Sequence, residues 1–492
     1  MYFFFPLTSF IVSTLTTSSL STSLSPGDEE FSPTPDSSKV LQKCLQVHSV
    51  PYSNSTSQNW ANLTTPFNLH LPYTPTSVTL PKTPEEVGNS VTCAAKAGMK
   101  VQPRGGGHSY ASYSIGGHNG SVVVDMSGFD DIVVDRGGHA TNGGYGYDSR
   151  LWGLALDTIV GLDAVLANGS FIHATETQNT KIWYALRGAA DAFGIVTYFY
   201  MQTQAAPEEV TYFTVNLSST LSSANKVSEA LLKTQEFVLN NPLLTPNTSF
   251  EFNVNSGGSL AITGMCMFCN LPFFRDVVFP QLVSGFDIDS QNISNLSWID
   301  TLATLAAPDH LAQPLQNYSL HDTFYVKSLV SKSENPSPLK PSTHFFTYIL
   351  SHQSPETPYF SIINSYGAPG SAIDSGALSS SSHADMDALW VFQNYGYTPN
   401  HLPPWDPRIT RVIEGMTDAV TTAQPAGNFS GYVNYVDPDL TAEEAAEEYY
   451  GARTYDRLLA IKAEVDSGFV FWNPQAIGNV GVLPVDVGEE GD

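Results

Sequence analysis

Short apolar runs in the first part of the chain predict strands. Residues 122–125, Val-Val-Val-Asp, are typical of a strand, and residues 194–201 form a β-branched and aromatic run. Residues 132–135 repeat the first pattern, and residues 151–165 alternate in the way of two strands around a turn. We therefore expect this part of the chain to form sheets.

Amphipathic periodicity predicts the helices. Thr83 and Pro84 begin an apolar-periodic stretch that ends at Gly98, which is the pattern of an N-cap, a first-turn proline and a glycine stop. Further along, alternating runs such as residues 211–215 are separated by longer helical patterns such as residues 226–239. This succession of alternating and helical patterns predicts an antiparallel sheet covered by helices. The patterns along the whole chain together predict an α+β fold.

Length and charge restrict the partners. The 492 residues, of which 42% are hydrophobic, suffice for two or three lobes with a core each. Acidic residues number 47 and basic residues 21, so the formal charge is −26. A charge of this sign argues against nucleic acid and anionic membranes as partners, and it fits a protein that acts on neutral substrates.

The first residues predict export from the cell. Residues 1–25 hold an apolar stretch and then small residues, which is typical of a signal peptide; the alternative is a disordered tail. No later stretch approaches the roughly 20 apolar residues of a membrane span. Asn-x-Ser/Thr sequons, which favour a secreted glycoprotein, occur at ten positions: Asn54, Asn62, Asn119, Asn168, Asn216, Asn247, Asn292, Asn295, Asn317 and Asn428.

Three glycine-containing segments indicate a nucleotide site. The first is Arg104-Gly-Gly-Gly-His108, the second is the cluster at residues 137–146, and the third is residues 185–188 leading into residues 193–196. Consecutive glycines allow backbone N–H groups to approach a ligand closely. Each cluster alone is more typical of a surface turn. Together they suggest a cradle for a dinucleotide.

These motifs, in this order, resemble the flavin-binding domain of the vanillyl-alcohol-oxidase superfamily, with its PCMH-type FAD domain. The similarity is closest to the berberine-bridge-enzyme-like oxidases, and among those to the fungal gluco- and chito-oligosaccharide oxidases. It runs from about Pro66 to Gly478. The resemblance implies that His108 carries a covalent bond to the 8α-methyl group of the flavin.

The resemblance implies a domain organisation and a set of cofactor residues. An FAD-binding domain of two α/β subdomains is followed by a substrate domain with an antiparallel sheet covered by helices. The expected boundaries are a signal peptide at 1–25, a leader at 26–65, the FAD domain at 66–207, the substrate domain at 208–425 and a C-terminal segment at 426–480 that returns to the FAD domain. The residues implied to bind FAD are Arg104, Gly105, Gly106, Gly107, His108, Ser109, Gly138, His139, Asn142, Gly143, Gly144, Gly146, Gly194, Ile195 and Val196.

The chain departs from the family between its Val-Val-Asp strand and the second glycine cluster. Relatives carry several tens of residues there, with a cysteine that forms a second covalent flavin bond at C6. Here Asp135-Arg136 runs directly into Gly137, which shortens the FAD domain and removes that cysteine. Evolution and a mis-joined exon explain this equally well.

The four cysteines fit an oxidising compartment. Cys44 and Cys93 flank the start of the flavin domain, and we predict that they form a disulfide. Cys266 and Cys269 have the spacing of a redox or metal motif, but no second Cys or His pair accompanies them. A local disulfide or two buried thiols are the alternatives there, and we expect no metal.

The resemblance also implies the catalytic residues. Tyr435 matches the catalytic tyrosine, which removes the hydroxyl proton of the substrate; its pKa of about 10 must be lowered for this role. Tyr110 matches a tyrosine that lines the sugar site, and Gln393 a glutamine beside the substrate. Asn364 takes the position of a carboxylate that activates the tyrosine, although an amide cannot accept a proton. Lys327 could stabilise an anion or form an ordinary salt bridge.

We expect a secreted, monomeric oxidase that uses FAD and O₂ to convert the reducing end of an oligosaccharide to a lactone, with release of H₂O₂. An oxidase of a secondary-metabolite alcohol on the same scaffold is one alternative. A secreted glycoprotein that has lost flavin together with the missing segment is another.

Overall fold

A computed structural model of the protein describes residues 35–129, 137–306, 311, 321–373, 380–385 and 387–479. The predicted signal peptide at 1–25, the predicted strand at 132–135 and Asp135-Arg136, which precede Gly137, lie outside the described residues. The sequon at Asn317 also lies outside them.

Three sheets organise the described residues. The first is a four-stranded sheet in the order β1-β2-β4-β3, in which β2 and β3 run parallel to β4. Its strands are β1 Tyr52–Ser53, β2 Ser77–Thr79, β3 Val101–Arg104 and β4 Val122–Asp125. The second is an antiparallel three-stranded sheet in the order β6-β5-β7. Its strands are β5 Ile159–Val165, β6 Phe171–Ala174 and β7 Ile195–Met201.

The third sheet has seven antiparallel strands in the order β11-β8-β10-β9-β13-β14-β12. Its strands are β8 Glu209–Asn216, β9 Thr248–Asn255, β10 Leu260–Met267, β11 Ser290–Ser297, β12 Phe324–Lys332, β13 Tyr359–Ser365 and β14 Ala388–Tyr397. The helices are α1 Pro35–Val47, α2 Trp60–Thr64, α3 Pro84–Lys96, α4 Gly137–Thr141, α5 Ser149–Trp152, α6 Thr180–Leu186, α7 Ala224–Asn240, α8 Leu271–Phe273, α9 Phe279–Leu282, α10 Trp298–Ala306, α11 Leu339–Ser351, α12 Pro407–Thr421 and α13 Ala442–Val465.

The predicted α+β class is confirmed, and local sequence explains the elements. Helix α3 begins where the Thr83 hydroxyl accepts a hydrogen bond from the Glu86 amide at 3.2 Å. It ends before Gly98, whose φ of +70° is the left-handed conformation that glycine adopts without strain. The predicted strand at residues 122–125 is β4, and its three valines are fully buried, which shows that β4 is covered on both faces.

The two faces of the seven-stranded sheet have different environments. Phe250 and Phe252 of β9 lie in the largest apolar cluster, together with side chains of α7, α11 and α12. Because side chains alternate along a strand, Glu251 and Asn253 lie on the opposite face. The face away from these helices is therefore the one with polar side chains, and it builds the candidate site.

The prediction for residues 151–165 was wrong in its first half. The chain forms α5 and then a short 3₁₀ helix at Ala155–Thr158, and the strand begins only at Ile159. Gly153 has a φ of +85°, which ends the preceding turn, and the Asp157 carboxylate accepts a hydrogen bond from the Leu154 amide at 2.9 Å. These local bonds favour a helical turn over an extended strand.

The C-terminal segment returns to the first sheet. Phe471 forms a bridge with Val101, and the Gln102 side-chain amide donates to the Trp472 carbonyl at 2.9 Å. The predicted domain boundaries stay predictions. None of the helices in the described part of the chain is long and apolar enough to cross a membrane.

The predicted disulfide between Cys44 and Cys93 is confirmed; it joins α1 to α3 with the Cα atoms 5.5 Å apart. Cys266 and Cys269 are also disulfide-bonded, which decides between the two alternatives for this pair. All four cysteines of the chain are therefore in disulfides.

We expect the Cys44–Cys93 disulfide to contribute more stability than the Cys266–Cys269 disulfide, because it closes a far longer loop. The sequence separations are 49 and 3 residues. The chain-entropy relation gives about 4 kcal/mol for the first and about half of that for the second. Denaturant unfolding of the two double alanine variants measures both. Equal losses, or Cys44 alkylated in a non-reduced peptide map, would contradict the expectation.

Candidate active site

A single turn near the C-terminus connects the two glycine loops. The ring of Tyr435 stacks on that of Tyr110, with centroids 5.7 Å apart and an interplanar angle of 6°. Tyr110 lies two residues after His108. On the other side, the Tyr432 hydroxyl accepts a hydrogen bond from the Gly144 amide at 3.0 Å. The turn therefore contacts the histidine loop through Tyr435 and the second loop through Tyr432.

The turn is a 3₁₀ helix, Val433–Tyr435, in which the Tyr435 amide donates to the Tyr432 carbonyl at 2.8 Å. A period of three residues places both tyrosines on one side, and their rings meet edge to face at 5.0 Å. Between them, the side-chain amide of Asn434 donates hydrogen bonds to the backbone carbonyls of His139 and Asn142 at 3.3 and 3.4 Å. The sequence Tyr-x-Asn-Tyr thus positions the second glycine loop.

The polar face of the seven-stranded sheet supplies Gln393 and Asn364. The Gln393 side-chain amide donates to the Tyr110 hydroxyl at 2.8 Å. Asn364 on β13 is buried and pairs with Val391 on β14. Gln393 lies two residues beyond Val391, so both polar side chains share one face. The structure therefore brings Tyr110, Gln393 and Tyr435 into contact and places Asn364 on the same wall.

Glu251 is a site residue that the sequence analysis missed. It pairs directly with Asn364 across the ladder of β9 and β13, and only 2% of it is exposed. Its burial raises the pKa of the carboxyl to about 8, although its hydrogen bond with Tyr147 acts in the opposite direction. The signal was present in the alternation of β9, where Glu251 stands between Phe250 and Phe252.

Burial determines the ionisation of the tyrosines. It raises the pKa of Tyr435 well above its ordinary value of 10, and the neighbouring Tyr366, Tyr110 and Tyr432 act in the same direction. Lys327 does not offset this effect, because its ammonium group forms a salt bridge with Asp437 at 2.5 Å. The expected lowering of the phenol pKa is therefore not provided by the surrounding protein.

The histidine loop is partly exposed and open on one side. Gly107 has a φ of +80°, and within 4 Å a Cβ atom there would meet only the Arg104 side chain. The Phe67 ring lies edge-on to His108 at 5.0 Å. Arg104 itself binds the Asp125 carboxylate and the Leu63 carbonyl, so its guanidinium anchors the base of the loop.

The second glycine loop is more tightly packed. A Cβ atom on Gly143 would lie 2.9 Å from His383 Cε1, and one on Gly144 would lie 2.6 Å from the Ala155 side chain. Both glycines have positive φ values. Burial lowers the pKa of His139 to about 4, so its imidazole is neutral at physiological pH.

The remaining predicted cofactor residues lie in varied settings. Ser109 accepts a hydrogen bond from the Tyr113 amide at 3.0 Å, and Gly138 belongs to α4. A Cβ atom on Gly194 would lie 2.9 Å from the Val165 carbonyl oxygen, and Ile195 and Val196 pair with β5. Ser109 thus belongs to the histidine loop, whereas Gly194 directly precedes β7 of the three-stranded sheet.

Two observations fit FAD. The open loop of glycines offers backbone N–H groups and the His108 imidazole to a ligand. Beside the second loop, the His383 Nε2 atom is buried without a hydrogen-bond partner in the described residues. Because buried polar atoms are nearly always bonded, this atom is suited to a polar group of a bound ligand. The donor set of the two loops is compatible with an FAD cofactor.

Comparisons with known proteins agree with this geometry. Residues 75–136 match the family of FAD binding domains, and residues 431–478 match the family described as berberine and berberine like. The chain is 30% identical to xylooligosaccharide oxidase of Thermothelomyces thermophilus, over 89% of this chain and 94% of that protein. Xylooligosaccharide oxidase from Myceliophthora thermophila C1, solved in complex with xylobiose, has 28% identity, a TM-score of 0.81 and coverage of 90% of this chain and 100% of the other.

The comparisons also reveal a shortening. The match to the Thermothelomyces protein runs over 481 aligned positions, whereas 89% of 492 residues is about 438, so about 43 positions have no residue of this chain. A solved glucooligosaccharide oxidase from Acremonium strictum carries 6-S-cysteinyl, 8α-N1-histidyl FAD; it has 25% identity, coverage of 90% of this chain and 100% of the other, and a TM-score of 0.81. Here every cysteine is already in a disulfide.

The TM-scores of 0.81 show that this chain shares its overall fold with these solved relatives. The chain belongs to the berberine-bridge-like family of FAD-linked oxidases that includes the fungal oligosaccharide oxidases.

Proposed function

We propose that the protein is a secreted, FAD-dependent oxidase that converts the C1 hydroxyl at the reducing end of an oligosaccharide to a lactone, with O₂ reduced to H₂O₂. The observation that carries this proposal is the stack of Tyr435 on Tyr110, whose hydroxyl is bound by Gln393, next to the loop of His108. The match to oligosaccharide oxidases over nearly the whole chain supports the substrate class.

We assign the covalent attachment of FAD to His108 and its backbone contacts to Gly105, Gly106 and Gly107. His139, Asn142 and Gly143 would line the second loop. Bound FAD would supply the acceptor for the hydride from C1 and would transfer the electrons to O₂. The protein must then position the sugar and remove its hydroxyl proton.

Tyr435 is the group that we assign to proton removal, because its ring faces the sugar-site tyrosine Tyr110. Gln393 would orient the substrate through the hydroxyl of Tyr110 or directly. A neutral phenol cannot act as a base, and the raised pKa keeps Tyr435 neutral near pH 7. Its proton must therefore have an acceptor, and the Asn364 amide cannot be that acceptor.

The distribution of sequons supports secretion. Nine of the ten sequon asparagines lie in the described residues; seven are exposed and two are partly exposed. Asparagines that must carry bulky glycans have to face solvent. We propose that the mature protein acts outside the cell as a monomer.

The missing positions favour one further candidate, a secreted glycoprotein without flavin. The visible absorption spectrum of the purified protein separates the two candidates, because an oxidised flavin absorbs there and an apoprotein does not. A colourless protein after expression with ample FAD would exclude the oxidase.

We expect one covalent flavin bond, through His108. All four cysteines are in disulfides, so no thiolate is available for a second bond. After acid denaturation the yellow colour should stay with the precipitated protein, and His108→Ala should release it or prevent its uptake. His48→Ala, at an exposed histidine that directly follows α1, is the matched control and should retain the colour. Flavin bound covalently in His108→Ala would refute the assignment.

We expect Tyr435→Phe to keep the flavin and to lose activity. The phenylalanine retains the ring that stacks on Tyr110, and only the hydroxyl is deleted. Loss of a positioned base typically costs roughly 10²–10⁴-fold in rate, or about 3–5 kcal/mol. Peroxide release from xylobiose and from gluco- and chito-oligosaccharides measures the loss.

Tyr198→Phe, at an exposed tyrosine of β7, is the control and should behave as the wild type. A Tyr435→Phe enzyme that oxidises sugar at the wild-type rate with flavin bound would show that another group is the base.

A further inference from the structure

We propose that N-linked glycans on Asn292 and Asn295 cover an open edge of the seven-stranded sheet and prevent that edge from pairing with other chains. Both asparagines begin Asn-x-Ser sequons, and both lie on the edge strand β11. This inference rests on the secretion that we propose for the protein, and it is independent of the oxidase activity.

The strand β11 is an open edge in the part of the chain that the structure describes. It stands at one end of the sheet and pairs only with β8. All eight of its residues are exposed or partly exposed, and no backbone hydrogen bond joins its outer side to another described segment. Alternate residues of an antiparallel edge strand direct their N–H and C=O groups away from the sheet. Such a row of groups can pair with a strand of another chain.

The opposite edge of the sheet is already covered. It is formed by β12, where Val330 and Ser430 exchange two backbone hydrogen bonds of 2.7 and 3.2 Å. All but one of the nine residues of β12 are buried. Because covering an edge with another segment is one way in which proteins prevent edge-to-edge pairing, β12 needs no further protection.

The sequence of β11 contains none of the side chains that usually protect an edge. It reads Ser-Gln-Asn-Ile-Ser-Asn-Leu-Ser, without a charged residue, a proline or a glycine. Lysines, other charges and prolines are the common protective residues on edge strands. Uncharged segments without proline are also the ones that stack into intermolecular sheets. A protein with a net charge of −26 thus places none of its charge on its most open strand.

The two sequons are placed to cover both sides of this strand. Asn292 pairs with Thr214 and Asn295 with Thr211, and a separation of three residues puts the two asparagines on opposite faces. Both are exposed. Since an N-linked glycan is bulky and hydrated, one glycan on each face would keep another strand from approaching the edge.

The hydrogen bonds of Asn295 are compatible with a glycan. Its amide nitrogen donates to the Glu209 carboxylate at 2.9 Å, and its amide oxygen accepts from the Thr211 hydroxyl at 3.0 Å. Attachment of a sugar replaces one of the two N–H hydrogens and leaves one donor and the oxygen. The modified side chain can therefore keep both bonds, which would hold the first sugar in a fixed direction.

The first test is the occupancy of the two sequons. The protein is secreted from a eukaryotic host, and its peptides are mapped by mass spectrometry; we expect glycans at Asn292 and Asn295. Glycans at Asn62 and Asn428 with both edge asparagines bare would overturn this proposal alone. A protein that does not leave the host cell would overturn the proposed secretion, and this proposal with it.

The second test removes the glycans from the edge. Asn292→Gln/Asn295→Gln should aggregate several-fold faster than the wild type, as measured by light scattering at equal concentration below the melting temperature. Asn62→Gln/Asn428→Gln, which deletes two other exposed sequons, is the matched control and should behave as the wild type. Equal acceleration in both double variants would show that glycans act only through general solubility, and would refute a role at the edge.

A third variant separates edge protection from the presence of glycans. Asn292→Lys/Asn295→Lys has no sequon on β11 but carries two charges that oppose strand pairing, so we expect it to aggregate as slowly as the wild type. Two lysines also reduce the net negative charge, so this rescue cannot come from stronger overall repulsion. Aggregation of the lysine variant at the rate of the glutamine variant would contradict the proposal.

A second copy of the chain is the other possible cover for this edge. Size-exclusion chromatography with light scattering distinguishes it, because we expect a glycosylated wild-type monomer. A wild-type dimer that dissociates in Asn292→Lys/Asn295→Lys would show that another copy covers β11, and would overturn the proposal. Flavin content and oxidase rate should be the same in all of these variants, since β11 lies four strands away from β13 and its Asn364.

Discussion

The contact between the turn at Val433–Tyr435 and the two glycine loops is the interaction on which the site depends. Tyr435 stacks on Tyr110 at one end, and Tyr432 and Asn434 bind the second loop at the other. Loops rich in glycine have high conformational entropy, so their position must come from partners with fixed geometry. A 3₁₀ turn that presents a tyrosine every third residue supplies two such partners from one short segment.

Helix caps, helix ends and strands could be predicted from the sequence, because their signals lie within a few neighbouring residues. The Thr83 cap, the Gly98 stop and the strands of the seven-stranded antiparallel sheet all appear in the structure as expected. The helical turn before Ile159 was missed because one positive-φ glycine and one side-chain cap outweighed an apparent alternation. Glu251 could be recognised as polar within an apolar strand, but its place beside Asn364 follows from a strand pairing more than a hundred positions apart, which no local pattern encodes.

The two disulfides limit the ways in which the protein can bind its cofactor covalently. The chain has only four cysteines, and all of them are in disulfides that stabilise the fold. None is therefore available as a thiolate to form a bond with the flavin. The shortening relative to the Thermothelomyces enzyme removes positions, and the disulfides exclude a substitute from elsewhere in the chain. Under the proposed attachment, FAD would be bound covalently through the histidine loop alone, whose base is anchored by Arg104 and Asp125.

The charge distribution explains why such a site suits an uncharged substrate. Basic residues are scarce in this chain, and several of the buried ones are engaged in holding segments together, as Lys332 does with Asp385 and Lys462 with Asp466. The walls near Tyr435 include tyrosine hydroxyls and the amides of Asn364 and Gln393, which donate and accept hydrogen bonds without net charge. The carboxyl of Glu251 lies on the same wall, and burial raises its pKa to about 8, so it is mostly uncharged near pH 7. Sugar hydroxyls have the same dual character, so they can replace water in this site, whereas an anionic substrate would be repelled by the net negative charge of the protein.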